Sequence, residues 1–261
     1  MKDKVIVVTG ASAGIGAALA RAAHARGARP VLLARREREL AEVAATAGGA
    51  PWFACDVTRR ADVDAALASA VARMGHVDVW VNNAGRGITR PVSELTDDDV
   101  DEMILVNVKS ALYGMQAAVR HFRERGEGQI VNVSSMLGRV PFAPIRSAYA
   151  APKHALNSLT ANLRMELRDA LPRVHVTSVH PGVVATDFGK NARHGGPDSR
   201  SLPGAQSAEE VAEVICGAIE SPRADVYTRP GAREMVAASF AAEDMGKAET
   251  EGPFAFRPPP R

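Results

Sequence analysis

The stretch Val5-Ile6-Val7-Val8-Thr9-Gly10-Ala11-Ser12-Ala13-Gly14-Ile15-Gly16 decides how the rest of the chain is read. Four consecutive β-branched residues suit a strand buried on both faces. Glycines follow at once, and from Ile15 the apolar residues recur at helical spacing. Such a turn lets the backbone bend sharply and approach a pyrophosphate, while the free N–H groups at the helix start attract its charge. The spacing is Gly-x-x-x-Gly-x-Gly, and its setting between strand and helix marks a nucleotide site built from Gly10, Ser12, Gly14, Ile15 and Gly16.

Outward from this turn the same rhythm repeats. Short apolar runs at 5–8, 30–33, 52–55, 77–81, 129–133, 173–179 and 224–228 alternate with helix-length stretches at 15–26, 36–47, 61–74, 97–105, 110–125, 150–171 and 208–221. That alternation predicts an α/β fold of Rossmann type: a doubly wound parallel sheet of about seven strands, helices on both faces, in a single domain spanning 1–230. Ligands of such sheets bind at the carboxyl ends of the strands. The Gly-, Pro- and Ser-containing segment 186–207 is longer than ordinary connections and is expected to cover the site as a lid. Residues 231–261 form a tail of weak helical character, expected to be partly disordered.

Composition narrows the function classes. With 46% hydrophobic and 24% charged residues the chain can bury a core, which excludes wholesale disorder. A net charge of +2 without blocks of like charge gives no support to a nucleic-acid groove or a polybasic membrane anchor, so a small molecule is the expected partner. No run is long and apolar enough for a spanning helix, and Met1-Lys2-Asp3-Lys4 leads directly into the first strand without a signal-peptide core. The expected location is the cytoplasm. Cys55 and Cys216 stand apart without ligand spacing, so neither a disulfide nor a metal site is expected.

Two further segments carry chemistry. At the tip of the second strand NAD-specific sites place a carboxylate, but this chain reads Leu33-Ala34-Arg35-Arg36. A guanidinium at Arg35 suits a 2′-phosphate, which predicts NADP(H) in preference to NAD(H); Arg36 reads equally well as an exposed helix start. Asp56, at the third strand tip, either accepts from an adenine amino group or caps the next helix. In Tyr149-Ala150-Ala151-Pro152-Lys153 one helical turn separates a phenol from an ammonium, an arrangement expected to lower the phenol pKa from about 10 and make it a proton donor near neutrality. Pro152 offers no N–H, so regular helix is expected to start near or after Tyr149.

Together with Asp56-Val57, Asn82-Asn83-Ala84-Gly85, Asn107, Ser134-Ser135 and Pro181-Gly182-x-x-x-Thr186, these segments resemble the short-chain dehydrogenase/reductase family in its compact form, over roughly 4–227. The resemblance implies NAD(P)-linked interconversion of an alcohol and a carbonyl compound. It makes Tyr149 the general acid or base, gives the nicotinamide ribose to Lys153, the substrate carbonyl to Ser135 and a water in a proton relay to Asn107. It also brings Val57, Asn83, Ala84, Gly85, Pro181, Gly182, Val184 and Thr186 to the cofactor, Thr186 at the carboxamide. Ser135 stands one position further from Tyr149 than the family spacing, so Ser134 and Ser147 compete for its role. Leu137, Phe142 and Phe188, with Met136, Val140 and Ile145, are expected to line an apolar substrate site. His180 reads as a satisfied strand-end histidine. The family pairs through the helices represented by 110–125 and 150–171, which implies a homodimer or tetramer; the stripe Leu156, Leu159, Leu163, Leu167 serves that contact or faces the sheet. The competing reading is a catalytically silent dinucleotide-binding regulatory protein, which loss of Tyr149 or Lys153 would mark; both are present.

Overall fold

The computed structural model describes residues 1–251 and 254. Seven strands, β1 (Val5–Thr9), β2 (Arg29–Ala34), β3 (Trp52–Ala54), β4 (Val79–Asn82), β5 (Gly128–Val133), β6 (Val174–His180) and β7 (Asp225–Tyr227), form one sheet in the order β3-β2-β1-β4-β5-β6-β7. Every pairing is parallel. Strand order reverses at β1, which pairs with β2 on one side and β4 on the other, so a crevice opens beyond its carboxyl end.

The pleat sends alternate residues of β1 into two cores. Ile6 and Val8 pack beneath α1 (Gly14–Ala25), α2 (Glu37–Thr46) and α7 (Ala208–Glu220), while Val5 and Val7 pack beneath α3 (Arg60–Met74), α5 (Ser110–Arg125) and α6 (Ser147–Ala170). A central strand with both faces covered must be apolar throughout, which explains its unbroken β-branched run. The α6 stripe belongs to this second core: Leu156 and Leu167 are buried there, with Leu159 and Leu163 packed against it. It faces the sheet and does not by itself supply an intersubunit surface.

Most element ends fall within a few residues of the sequence reading, and three differences bear on the site. Helix α4 (Asp97–Ile104) does not stop before α5, because a π-helical segment, Leu105–Lys109, joins them. Helix α6 begins at Ser147, two residues ahead of Tyr149. Pro152 lacks a donor only toward residue 148, a loss confined to the first turns of the helix, where the chain tolerates it. In the tail, α8 (Ala232–Phe240) and α9 (Met245–Glu251) follow β7, and Ala232 and Val236 pack with Met136, Val140 and Phe142. Residues 252–253 and 255–261, the end of that tail, lie outside the described residues. No helix among the described residues is long and apolar enough to cross a membrane.

Candidate active site

The turn after β1 is fixed from both sides. Gly10 and Gly14 have φ of +67° and +53°, a region that penalises any Cβ. A Cβ on Gly16 would stand 2.5 Å from the Gly10 carbonyl and 2.7 Å from Asn83 Nδ2, so only glycine fits. Asn83 ties the turn to the end of β4: its Nδ2 donates to the Thr9 carbonyl at 2.9 Å, and its backbone N–H donates to Thr9 Oγ1 at 2.9 Å. Ala84 N–H also donates to Thr9 Oγ1, at 3.1 Å. Helix α1 then starts at Gly14 with no side-chain cap and no acidic residue in its first turn. Its positive end is therefore left to an anion, which is the cradle a dinucleotide pyrophosphate requires.

Around this cradle gather the residues expected on the adenosine side. Arg35 and Arg36 are both exposed at the tip of β2, and Arg36 donates from Nη2 to Ser12 Oγ at 3.0 Å. Arg36 is thus more than a helix start: it reaches the glycine turn itself. Asp56 does not cap α3, whose N-cap is Arg59; its Oδ1 instead accepts from the Thr58 N–H and hydroxyl at 3.0 and 2.7 Å. Burial pushes the Asp56 carboxyl up, but the Thr58 bonds and nearby Arg35 outweigh it and hold the pKa below the ordinary value. Thr186, at the start of the lid, lies over Gly14, where a Cβ would meet its methyl group at 3.2 Å. The lid ends are closed by a bridge between Val184 and Gln206.

The residues expected to react occupy the next part of the crevice. Tyr149 and Lys153 sit one turn apart on α6 and are both buried. Lys153 Nζ donates to the Val133 carbonyl at 2.9 Å and lies 5.6 Å from the centre of the Tyr149 ring. Burial pushes the Tyr149 phenol up to about 12, with Ser135 and Arg146 acting in the opposite direction. This corrects the expectation that Lys153 lowers it: the ammonium is committed to a backbone carbonyl, and desolvation brings its own pKa down to about 8.

The serines divide clearly. Ser134 Oγ turns into α6 and donates to the Lys153 carbonyl at 3.4 Å, whereas Ser135, facing the other way, accepts from Leu137 N–H at 3.1 Å and interacts with Tyr149. Ser147 Oγ is buried without a hydrogen-bond partner among the described residues. Asn107 lies in the π-helical segment, where its Nδ2 donates to the carbonyls of Met103 and Arg86 at 3.1 and 3.0 Å and its Oδ1 accepts from Arg86 N–H at 3.2 Å. The π turn is the helix distortion that satisfies this buried amide. Gly85 lies between Asn107 and Lys153, since a Cβ there would be 2.9 Å from Asn107 Oδ1 and 3.7 Å from Lys153 Nζ. Among the expected lining residues, Leu137 packs in one cluster with Tyr149, and Phe188 meets the Tyr149 ring edge-on at 5.4 Å. Phe142 does not join them. It stacks on Phe254 at 4.7 Å in the cluster formed with α8, because the tail covers that side of the loop.

Sequence reasoning missed what anchors the segment 186–207. Asp99 is fully buried and binds Arg90, Arg193 and His194, while Glu102 binds Arg86 and Arg193. Backbone bonds from Thr89 to Arg193 and from Arg193 to Gly87 join the same segments. The only local signal was Thr96 three residues ahead of Asp99, which is the capping box the structure shows. His180, set aside in the sequence reading, places Nε2 3.2 Å from Asp225 and 3.0 Å from Arg139 at the far end of β6.

This geometry agrees with what is similar to the chain elsewhere. A family model described as short chain dehydrogenase matches residues 4–196. An uncharacterized oxidoreductase of Bacillus subtilis is 37% identical over 237 residues, 87% of this chain, and this chain spans 65% of that relative's length. An uncharacterized oxidoreductase of Staphylococcus epidermidis is 33% identical, covering 85% of this chain and 93% of the relative. Among solved structures, a short chain dehydrogenase/reductase from Burkholderia phymatum in complex with NAD aligns with a TM-score of 0.85 at 26% identity, over 99% of this chain and 98% of its own. An alcohol dehydrogenase from the archaeon Thermococcus sibiricus complexed with 5-hydroxy-NADP aligns with a TM-score of 0.76 at 28% identity, over 87% and 96%. A parallel sheet reversing at a glycine cradle, with Tyr149 and Lys153 beside it, therefore comes with matching relatives along most of its length, and the chain belongs to the short-chain dehydrogenases, a family of NAD(P)-linked oxidoreductases.

Proposed function

We propose that the protein is an NADP(H)-dependent oxidoreductase that interconverts a secondary alcohol and a ketone or aldehyde. The observation that carries the reaction is the buried Tyr149–Lys153 pair placed beside Ser135 at the carboxyl edge of the sheet. The nicotinamide supplies or accepts the hydride when bound. Ser135 donates a hydrogen bond to the substrate oxygen, and Tyr149 delivers a proton to that oxygen in reduction or removes it in oxidation. Lys153 holds the ribose and, together with Asn107, orders the route by which the Tyr149 proton is replaced.

Cofactor choice rests on the tip of β2. Solved relatives carry NAD in one case and 5-hydroxy-NADP in the other, so the chain's own residues have to decide. Arg35 and Arg36 stand exposed where a carboxylate would select the 2′-hydroxyl, and Arg36 already contacts Ser12. Two guanidiniums at this position favour the 2′-phosphate. Leu137 and Phe188 give the substrate site an apolar wall. Assembly as a homodimer through α5 and α6 follows from the family pattern. Oxidation of NADPH by a broad panel of carbonyl compounds, repeated with NADH, tests the reading. We expect turnover with at least a tenfold preference for NADPH. Binding of NADPH without turnover of any carbonyl would favour the silent regulatory protein instead, and a single monomer mass at all concentrations in light scattering would reject the dimer.

A further inference from the structure

Arg146 lies three residues before Tyr149, and its surroundings do not account for its charge. Its Nη1 makes one bond, to the Ile88 carbonyl at 3.0 Å. The other arginines at the mouth of the site each have a carboxylate partner: Arg86 has Glu102, Arg90 has Asp99, and Arg193 has both. In the lid, Arg200 pairs with Asp187 and Lys190 with Asp198. No carboxylate among the described residues lies within ion-pair distance of Arg146. Four guanidiniums and two carboxylates leave this mouth positive.

The guanidinium is also placed where a substrate would be. A Cβ on Gly87 would meet Phe188 at 2.9 Å and Arg146 Nη1 at 3.2 Å, so Arg146 and Phe188 share the same glycine floor. Phe188 in turn touches the Tyr149 ring. Beside Gly196 a Cβ would meet the Gly189 carbonyl at 2.7 Å, Thr89 Oγ1 at 2.9 Å and Arg146 Nη2 at 3.0 Å, so the guanidinium and the hydroxyl border the same narrow spot. The Thr89 hydroxyl is buried and has no hydrogen-bond partner among the described residues. A half-buried cation with spare donors and an orphan hydroxyl next to it is costly unless something polar completes it, and a charged acceptor does so best.

We propose that Arg146, with Thr89, receives a carboxylate on the substrate, so that the protein acts on oxo acids or hydroxy acids whose apolar body runs along Leu137 and Phe188. This rests on the oxidoreductase reading above and sharpens its substrate class. The carboxylate would replace the missing counter-ion, and the planar fork of the guanidinium would fix the distance from the acid to the carbonyl at Tyr149. Specificity then follows from the penalty on analogues that leave the fork unpaired.

The test is a homologous series of oxo carboxylic acids, differing in the chain between ketone and acid, assayed with NADPH beside their methyl esters. For the best acid we expect kcat/KM at least tenfold above that of its ester. In Arg146→Gln the acid-to-ester ratio should fall towards one, chiefly through KM, and Arg146→Lys should restore part of it. Because Arg146 also lies near Tyr149, its loss can change both rates, but that effect cancels in the ratio. Equal turnover of acids and esters by the unaltered protein, or an unchanged ratio in Arg146→Gln, overturns the proposal and leaves the oxidoreductase reading standing. Bound NADPH with no turnover of acids, esters or neutral ketones overturns both. Should Arg146→Gln fail to fold, the acid-to-ester ratio of the unaltered protein still decides.

Discussion

The two halves of the crevice are built by different means. On the nucleotide side, Thr9 to Gly16 form one continuous turn, locked by the neighbouring Asn83-Ala84 through bonds that each join a backbone group to the side chain of Thr9 or Asn83. On the substrate side, Asp99 reaches Arg193 and His194 across more than ninety positions, and Phe188, Arg146 and Thr89 arrive from three separate loops. A cofactor with a constant pyrophosphate can be met by backbone N–H groups, which tolerate many side chains. A variable substrate is met by side chains, which can be exchanged without disturbing the sheet.

If that contrast holds, damage to the cradle should act on cofactor binding whatever the substrate. The largest effect is expected from Gly16→Val, whose side chain would press on the Gly10 carbonyl and Asn83: affinity for NADPH, followed by fluorescence titration, should fall on the order of a hundredfold or more. Retained affinity would mean that the turn can shift, and the cradle would lose its claim to rigidity.

Chemistry should respond next. Ser135→Ala is expected to lower kcat about a hundredfold with little change in NADPH affinity, because the lost donor acts on the oxygen as negative charge develops. Ser134→Ala, removing a weak bond to the Lys153 carbonyl, should cost far less. A reversed order would show that the loop before Tyr149 presents the other hydroxyl. Arg35→Asp is a smaller perturbation: the NADPH-to-NADH preference in kcat/KM should drop about tenfold or invert. An unchanged ratio would transfer the role to Arg36.

The lid anchor gives the smallest effect on turnover and a distinct pH signature. Burial pushes the Asp99 carboxyl up, but bonds from His194, Arg90, Thr96 and Arg193 outweigh it and hold the pKa far below the ordinary carboxylate value. A depressed folded pKa contributes stability that is present above the unfolded value near 4 and is lost as pH falls through the folded one. Proteolytic cutting within the lid should therefore be slow at neutral pH and accelerate in acid below about pH 4. Asp99→Asn should be cut rapidly already at neutrality. Equal cutting of both proteins at pH 7 would remove Asp99 from the anchor.

How much of this was legible in the chain follows the same division. The fold, the glycine cradle, Asn83, Tyr149 and Lys153 could be read because each depends on contiguous residues at strand or helix period. Asn107 could be suspected from a lone amide inside Ile104-Leu105-Val106-Asn107-Val108, although the π segment that satisfies it could not. Pairings between distant side chains escaped: the Asp99 cluster, Arg36 reaching Ser12, and Phe142 drawn to Phe254 by a tail whose helices have no strong apolar period. The direction of the Tyr149 shift escaped as well, since spacing shows which groups are near and not how deeply they are buried.

The central claim is that the two halves are separable: the cradle binds the cofactor, and Tyr149 alone moves the proton. Tyr149→Phe measures it most directly, with NADPH affinity and single-turnover hydride transfer followed on the same sample. Affinity should stay within about twofold of the unaltered protein while the transfer rate falls by three orders of magnitude or more, towards the upper end of what loss of a general acid costs. Transfer at an undiminished rate, or loss of NADPH binding in a folded protein, would contradict the account.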